Sequence, residues 1–253
     1  MNGSVTTTIK DHIAFVTFFH PQSNSLPGTI LRQLAAEIEV AGKDENVRVI
    51  VLQSEGEKAF CAGASFDELV AIENLEQGKV FFSGFAAVIN AMRKAPKFVL
   101  ARVQGKAVGG GVGLASAADY TFATEHSAVK LSELAVGIGP FVVGPAVERK
   151  VGKSAFQQLS INATEWQSAA WALSKGLYAE VHADITSLDK SLMELAERLA
   201  KSNPEAMRLL KQVSWEGTEN WDSLLLERAA MSGTLVLSDF TRNAIAAFKT
   251  GVR

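Results

Sequence analysis

Two glycine-rich segments of the sequence have the composition of loops that bring backbone amides to a ligand. Residues 58–65 read KAFCAGAS, and residues 105–114 read GKAVGGGVGL. Each segment follows a strand-like run and precedes a helix-like one, where free N–H groups are found. Two such turns side by side could direct two N–H donors at one oxygen atom, as a backbone oxyanion hole does. Either segment alone could equally be an ordinary tight turn or a close packing contact.

The sequence does not match the common motifs for nucleotide binding, metal binding or a catalytic nucleophile. A G-x-G-x-x-G match from Gly109 fails because Leu114 takes the last position. A P-loop ending at Gly152 fails because Val147 stands where its first glycine belongs. The four histidines are scattered without zinc-binding spacing, so no metal site is predicted. Cys61, the only cysteine, cannot form an internal disulfide, and it is interpreted as a small buried hydrophobe rather than a nucleophile.

The composition limits the class of protein. The 253 residues are 47% hydrophobic and 21% charged, ordinary values for a globular chain that buries a sizeable core. A formal net charge of −2 gives no general attraction to nucleic acid or to an anionic membrane. Residues 1–10 lack the apolar segment of a signal peptide, and no apolar stretch reaches the roughly 18 residues of a membrane span. We expect a cytoplasmic protein that binds neither nucleic acid nor membrane.

The elements that must position the two glycine-rich segments alternate between strand and helix. Residues 5–9 and 13–19 predict two strands, and the residues at 10–12 predict the turn between them. Apolar residues at helical spacing follow Pro27 up to a stop at Gly42. The apolar run at 47–52 is typical of a strand buried on both faces.

The same alternation continues through the middle of the chain. Ser65 and Glu68 form an S-x-x-E capping box, which predicts a helix directly after Ala64. Another helix closes before Pro96, and residues 98–103 predict a third strand of the buried type. Further short strands are predicted at 120–123 and 129–131.

Helices predominate beyond residue 151, where the strand signal fades. One helix is predicted at 188–201, and Asn203-Pro204 predicts the cap and first residue of the next. Residues 221–248 are also helical in pattern. The fold class is therefore α/β, with a core domain predicted at 1–185 and an α-helical C-terminal region at 186–253.

Four motifs together resemble the crotonase superfamily, also called the enoyl-CoA hydratase/isomerase family. Residues 24–26 (NSL) look like its N-A-L box, and residues 60–65 (FCAGAS) are similar to its F-x-A-G-A-D signature. Residues 107–111 (AVGGG) match its second glycine box. Asp119 suits its C-D-x-x-x-A text, with Ala118 in place of the cysteine. The likeness covers most of the chain.

The resemblance implies a spiral of β-β-α repeats, a C-terminal helical region that builds homotrimers or homohexamers, and an acyl-CoA thioester substrate. Coenzyme A would be part of the substrate, so no cofactor is expected. The thioester oxygen would accept from the N–H groups of Ala62 and Gly110, which would stabilise an enolate-like anion. The residues expected to bind coenzyme A are Ser25, Leu26, Lys58, Ala62, Gly63, Ala64, Ser65, Gly109, Gly110, Phe248 and Lys249.

The glutamates of the family identify the expected reaction. Its hydratases use two glutamates twenty positions apart, which correspond here to Gly113 and Glu133. Glycine cannot activate water, so the chain most resembles the isomerases that carry a proton from C2 to C4 with one glutamate. The text after Glu133, from Gly137 to Phe141 (GIGPF), is similar to those isomerases. Apolar neighbours are expected to raise the pKa of Glu133 towards neutrality, namely Leu131, Leu134, Val136 and Phe141.

Two other functions stay open from the sequence. A hydratase or lyase could use Glu133 together with a different second group. A family member could also bind an acyl-CoA or a partner without catalysis, because a fold does not by itself imply a function.

Overall fold

The computed structural model describes residues 3–250, and the side chains of residues 3–247. One sheet has six strands in the order β1-β2-β3-β5-β7-β10, and a second has four in the order β4-β6-β8-β9. The strands are β1 (Ser4–Lys10), β2 (Ile13–Phe19), β3 (Val49–Ser54), β4 (Ala59–Cys61), β5 (Phe98–Val103), β6 (Lys106–Val108), β7 (Tyr120–Thr124), β8 (Ala128–Lys130), β9 (Gln167–Ser168) and β10 (Glu180–His182).

Helices join the strands and make up the C-terminal part of the chain. They are α1 (Gly28–Lys43), α2 (Phe66–Val70), α3 (Leu75–Lys94), α4 (Gly110–Ala117), α5 (Gly144–Ile161), α6 (Ala169–Ser174), α7 (Ile185–Ala200), α8 (Pro204–Ser214), α9 (Trp221–Leu235) and α10 (Asp239–Thr250). No helix within residues 3–250 is long and apolar enough to cross a membrane.

The first hairpin forms as predicted. Strands β1 and β2 pair antiparallel with Lys10 opposite Ile13, so two residues form the turn. Those residues, Asp11 and His12, have φ angles of 50° and 64°. Positive φ at both positions is the geometry that matches the twist of a tight hairpin.

The central chain is a spiral in which successive strands alternate between the two sheets, which confirms the predicted fold. Strands β3, β5 and β7 pair parallel in the large sheet, and β4, β6 and β8 pair parallel in the small one. Because parallel strands end at the same edge, the segments that follow β4, β6 and β8 lie side by side. Those segments contain both glycine-rich loops and Glu133.

The central strands of the large sheet are buried on both faces, which explains their continuous apolar sequences. Along β3, Ile50 and Leu52 belong to the main core with α1 and α3. Val49 and Val51 face the other way, into a second core that α7 closes with Leu188 and other apolar residues. The predicted strand at 47–52 is therefore buried on both faces, although it begins two residues later.

The structure adds detail to three predictions. Two short strands, β9 and β10, lie beyond residue 151, where the strand signal is weak because each has only two or three residues. The helical region at 221–248 is two helices, because Ser238 accepts a hydrogen bond from the N–H of Thr241 (3.3 Å) and starts α10. The proposed capping box is half right. Ser65 caps α2, but the carboxylate of Glu68 accepts from the N–H of Gly28 (2.5 Å) at the start of α1.

The C-terminal helices share the core of the strands. Helix α9 crosses α3 so closely that a Cβ on Gly78 would lie 2.8 Å from the Cα of Gly233. The main core cluster includes residues on both sides of position 185, from β2 as well as from α9. The division at 185 stays a prediction about domains.

Candidate active site

The C-terminal ends of β4, β6 and β8 open onto a cavity of about 70 Å³. Helix α3 and the segment that leads into α5 form further walls. The cavity brings together six of the predicted site residues: Ala62, Gly63, Ala64, Gly109, Gly110 and Glu133. The other lining residues used below are Leu69, Phe82, Phe85, Val136, Phe141, Val142, Val143 and Ser232.

A tight turn after β8 holds Glu133 in the cavity. The N–H groups of Val136 and Ile138 both donate to the carbonyl oxygen of Glu133, at 3.2 and 2.9 Å. Gly137 closes the turn with a φ of 83°, which an L side chain rarely adopts. A Cβ at Gly137 would also lie 2.5 Å from the Oγ1 of Thr241 on α10, so the turn is packed against the C-terminal helix.

Burial removes water from the carboxylate of Glu133. Its Oε2 is buried and has no hydrogen-bond partner among the described residues, while the N–H of Glu133 itself donates to the carboxylate. Its Oε1 lies 3.0 Å from the place where a Cβ on Gly109 would stand, so only a glycine there leaves room for the carboxylate. Burial raises the pKa of Glu133 from 4.5 to about 7, because the charged form loses its hydration. A carboxylate with such a pKa can both take and return a proton near neutral pH.

The apolar surroundings predicted for Glu133 are partly right. Val136 and Phe141 line the cavity. Leu131 is buried in the core. Leu134 was wrongly included, because its side chain is 51% exposed on the outer side of the turn.

Ala62 was wrongly predicted as an oxyanion donor. Its N–H donates to the carbonyl oxygen of Ser23 at 3.1 Å and is therefore not available to a ligand. The reason is the path of the first loop, which runs beside residues 23–26 and uses alternate backbone groups to pair with them.

The next outward-facing amide of that loop belongs to Ala64. Leu26 forms a parallel bridge with Ala64. The N–H of Leu26 donates to the carbonyl oxygen of Gly63 (2.7 Å), and the N–H of Ser65 donates to the carbonyl oxygen of Leu26 (3.2 Å). A residue paired in this way directs its own N–H to the opposite side. Within residues 3–250, no hydrogen bond uses the N–H of Ala64 as donor. We therefore assign the first donor to Ala64.

The second loop supplies Gly110 as predicted. Gly110 is the first residue of α4, and its N–H has no acceptor among the described residues. The first loop contacts it closely, since a Cβ on Gly63 would lie 3.6 Å from the nitrogen of Gly110. The N–H of Gly109 donates to the carbonyl oxygen of Lys130 (2.8 Å), which ties this loop to the end of β8. Two free amides and the Glu133 carboxylate thus line one cavity.

The glycine at 113 faces a filled space. A Cβ on Gly113 would lie 2.4 Å from the Cγ1 of Val143 and 2.6 Å from its Cβ. Such distances are far below van der Waals contact, so α4 has no room for a second carboxylate while Val143 is present.

The residues expected to bind coenzyme A occupy different places. Leu26 is fully buried behind the first loop, and Ser65 is the cap of α2, so both support the loop rather than face solvent. Ser25 is also buried, with its Oγ 3.0 Å from the Nδ1 of His20. Lys58 is exposed directly before β4. Phe248 and Lys249 lie in α10, but their side chains lie outside the described part of the chain.

Cys61 behaves as a packing residue. It is fully buried, and burial raises the pKa of its thiol to about 12, so the reactive thiolate does not form near neutral pH. It packs against Gly111, where a Cβ would lie 2.7 Å from the Cβ of Cys61. Gly111 of the second loop therefore serves close packing between the two loops.

Sequence reasoning missed the side chains that shape the cavity. Phe82, Val143 and Ser232 come from three separate elements, and only their apolar or small character marks them in the sequence. Ala64 was predicted to contact coenzyme A but not to be the oxyanion donor. The alternation of backbone pairing along the loop is the signal that distinguishes Ala64 from Ala62.

Comparisons with known proteins agree with this fold. The family model described as enoyl-CoA hydratase/isomerase matches residues 8–241. The chain therefore belongs to the enoyl-CoA hydratase/isomerase family, and its α/β fold is that of crotonases.

Individual relatives cover nearly the whole chain. It is 30% identical over 256 residues to the provisionally named enoyl-CoA hydratase/isomerase YngF of Bacillus subtilis (strain 168), which covers 98% of this chain and 96% of that protein. It is 28% identical over 239 residues to the short-chain-enoyl-CoA hydratase of Clostridium acetobutylicum, over 93% of this chain and 90% of that protein. The crystal structure of an enoyl-CoA hydratase from Bacillus halodurans shares the fold, with a TM-score of 0.88 at 18% identity, and covers 96% of this chain and 99% of that one.

Proposed function

We propose that this family member is an isomerase that shifts the double bond of a 3-enoyl-CoA to the 2 position. One observation carries the proposal. Glu133 is the single carboxylate in the described cavity, and the place that would hold a second one, at Gly113, is filled by Val143.

The reaction needs a base, an oxyanion site and no water. The thioester oxygen would accept hydrogen bonds from the N–H groups of Ala64 and Gly110. The Glu133 carboxylate would take a proton from C2, and the electron pair of that C–H bond would delocalise into a dienolate. The protonated Glu133 would then return the proton to C4, which leaves the double bond between C2 and C3. Each oxyanion donor is worth about 3–4 kcal/mol in comparable sites.

The pKa of Glu133 suits this exchange. The group must be ionised to accept the first proton and protonated to give it back. A pKa of about 7 allows both states near neutral pH, whereas an ordinary glutamic acid at 4.5 would be a weak base. The apolar wall formed by Val136 and Phe141 keeps the carboxylate desolvated.

A hydratase or lyase is the second candidate, because several relatives carry hydratase names. Adding water to a 2-enoyl-CoA normally takes two groups that hold and activate the water. This chain offers only Glu133 at the predicted positions, which makes hydration the less favoured reaction.

The test is a pair of incubations followed by absorbance and product analysis. The protein is mixed with a 3-enoyl-CoA and, separately, with a 2-enoyl-CoA. Conjugation of the 3-enoyl-CoA without added water is the expected result. Formation of a 3-hydroxyacyl-CoA from the 2-enoyl-CoA would show that the protein is a hydratase and not an isomerase. If neither substrate reacts but acyl-CoA still binds, the protein is a binding protein without this catalytic activity.

The chain is also proposed to assemble as a homotrimer or homohexamer. Large apolar side chains on the C-terminal helices support this, since Leu210, Val213 and Phe240 are 60%, 60% and 68% exposed. Exposed apolar side chains are typical of surfaces that bind another protein. Sedimentation velocity should show a single trimeric or hexameric species, and a monomer at micromolar concentration would contradict the assembly.

A further inference from the structure

The cavity extends along helix α3, away from the oxyanion donors. The Phe85 ring marks the near end, because a Cβ on Gly110 would lie 2.1 Å from its Cε1. Phe82 lines the cavity one helical turn earlier, displaced by about 4.5 Å along the axis. Ser232 of α9 also lines it, next to the Gly233 that touches Gly78 another turn back. The order along the cavity is therefore Gly110 and Phe85, then Phe82, then the crossing of α3 and α9.

Helices α3 and α9, which contribute Phe82 and Ser232 to the cavity wall, are packed against each other one turn further along. Gly78 and Gly233 bring α3 and α9 into backbone contact, so the two helices cannot separate there without losing their closest approach. Phe82 is only 8% exposed, and its ring packs edge-to-face on that of Phe81 at 5.3 Å. Close-packed interiors of this kind do not yield to an extra chain segment without cost.

The volume limits what can enter. An apolar cavity of about 150 Å³ holds one benzene molecule, which corresponds to about 25 Å³ for each carbon atom. The present cavity has about half that volume, about 70 Å³, and also contains the oxyanion site, so it leaves room for only a short acyl chain.

We infer that the acyl cavity is specific for short acyl thioesters such as butyryl-CoA and that Phe82 is the residue that limits the chain length. The inference depends on the proposed function in one respect, namely that the acyl group of a coenzyme A thioester occupies this cavity. Chains of eight carbons would have to withdraw from the oxyanion donors or displace Phe82.

Binding of unreactive thioesters tests the inference without requiring turnover. Isothermal titration calorimetry would measure the dissociation constants of butyryl-, hexanoyl- and octanoyl-CoA, with that of coenzyme A alone as the baseline. The wild type should bind butyryl-CoA about tenfold or more tightly than octanoyl-CoA, because the longer chain cannot be buried. In Phe82→Ala the preference should disappear or reverse.

Phe81→Ala is the matched control. Phe81 is the adjacent phenylalanine of α3, it is buried to the same degree, and it does not line the described cavity. Its truncation removes a ring of the same size but should leave the chain-length preference unchanged. If Phe82→Ala does not fold, Phe82→Leu opens the same wall by a smaller amount and should shift the preference to hexanoyl-CoA.

The outcomes separate this inference from the proposed function. Equal binding of butyryl- and octanoyl-CoA by the wild type would overturn the inference. So would an equal loss of the chain-length preference in Phe81→Ala and Phe82→Ala. Isomerase activity without length preference would overturn it while leaving the isomerase intact. A chain-length preference in a protein that turns over no enoyl-CoA would uphold the inference and reject the isomerase.

Discussion

Two carboxylates that enter the interior of this protein differ in every contact. Asp119, between α4 and β7, accepts hydrogen bonds from the N–H of Val99 (2.7 Å) and the indole N–H of Trp215 (2.7 Å). It also pairs with the Nζ of Lys211 at 2.9 Å. Glu133 has a buried oxygen with no partner among residues 3–250. The first carboxylate is satisfied, whereas the second is left to act on something that is not part of the protein.

The difference follows from the structural contacts that Asp119 makes through Lys211. Lys211 of α8 is almost fully buried, and its Nζ also donates to the carbonyl oxygens of Met92 and Lys97. Asp119 thus connects α8 to the ends of α3 and β5. A buried charge is tolerated when paired and hydrogen-bonded, and costs stability when it is not. The partners of Asp119 therefore indicate a structural role. The unpartnered Oε2 of Glu133 indicates a role in the reaction instead.

Replacing Glu133 by Gln should have the largest effect, a loss of activity without a loss of ligand binding. The amide has the same shape but cannot accept the C2 proton, so kcat should fall by about 10³- to 10⁴-fold. That loss corresponds to roughly 4–5.5 kcal/mol of the activation barrier. Stopped assays with a four-carbon 3-enoyl-CoA would measure it, and calorimetry with butyryl-CoA should show binding within about twofold of the wild type. Full activity in this variant would remove Glu133 from the mechanism.

Replacing Asp119 by Ala should produce the converse effect, a loss of stability without a loss of chemistry. Lys211 would keep a buried charge without its carboxylate, at a cost of about 3–5 kcal/mol in the free energy of unfolding. Urea denaturation measures this, and kcat per folded molecule should stay near the wild-type value. Asp119→Asn, which keeps the hydrogen-bonding shape but not the charge, should cost less than Asp119→Ala. An Asp119 variant with unchanged stability would contradict the distinction between the two carboxylates.

The sequence predicts the parts of this structure that depend on neighbouring residues. Asn203 and Pro204 indicate a helix start, and in the structure Oδ1 of Asn203 accepts from the N–H groups of Glu205 and Ala206, at 3.0 and 3.2 Å. The strand at 98–103 is found with the same bounds. These signals are local, since a cap or an apolar period requires only a few adjacent residues.

The parts that sequence reasoning missed depend on residues far apart in the chain. The choice between Ala62 and Ala64 as donor is made by pairing with residues 23–26, almost forty positions away. The space that Gly113 leaves is filled by Val143, thirty positions later. Leu134 faces outward although its neighbours are apolar, because the turn that begins at Glu133 rotates it away from the cavity. Such relations are set by tertiary packing, for which no local signal exists.

The difference in stability between Glu133→Gln and the wild type should depend on pH. The folded pKa of about 7 lies above the unfolded value of 4.5. Below pH 4.5 both states hold the proton, so wild type and variant should be equally stable. As the pH rises from 4.5 to 7 the unfolded chain releases its proton first, and wild-type stability falls by about 3 kcal/mol. Above pH 7 Glu133→Gln should therefore be the more stable protein.

Denaturation of both proteins at pH 5 and pH 8 tests this directly. The difference in unfolding free energy should be small at pH 5 and should favour the variant at pH 8. A wild type that is equally or more stable at pH 8 would mean that the Glu133 carboxylate has a partner that stabilises its charge.

The smallest expected effect concerns why the cavity holds only one carboxylate. Gly113→Ala would place a Cβ 2.4 Å from the Cγ1 of Val143, and overpacking of this kind costs about 1–3 kcal/mol. Val143→Gly should relieve that clash, because it removes both the Cγ1 and the Cβ that the new side chain would meet, so the double variant should be more stable than the two separate losses predict. Val142→Gly, at the adjacent buried position, should give no such relief.

If the losses in unfolding free energy of the Gly113 and Val143 variants are additive, the two positions do not compete for space. If they do compete, the pair Gly113→Glu and Val143→Gly can accept a second acid on α4 facing the same cavity as Glu133. That protein should add water to a 2-enoyl-CoA measurably faster than the wild type, since two groups would then hold the water. Gly113→Glu with Val143 intact should not, because the clash displaces the new side chain. The identity of residue 143 would then determine whether this cavity contains one acid or two, and with that which reaction it favours.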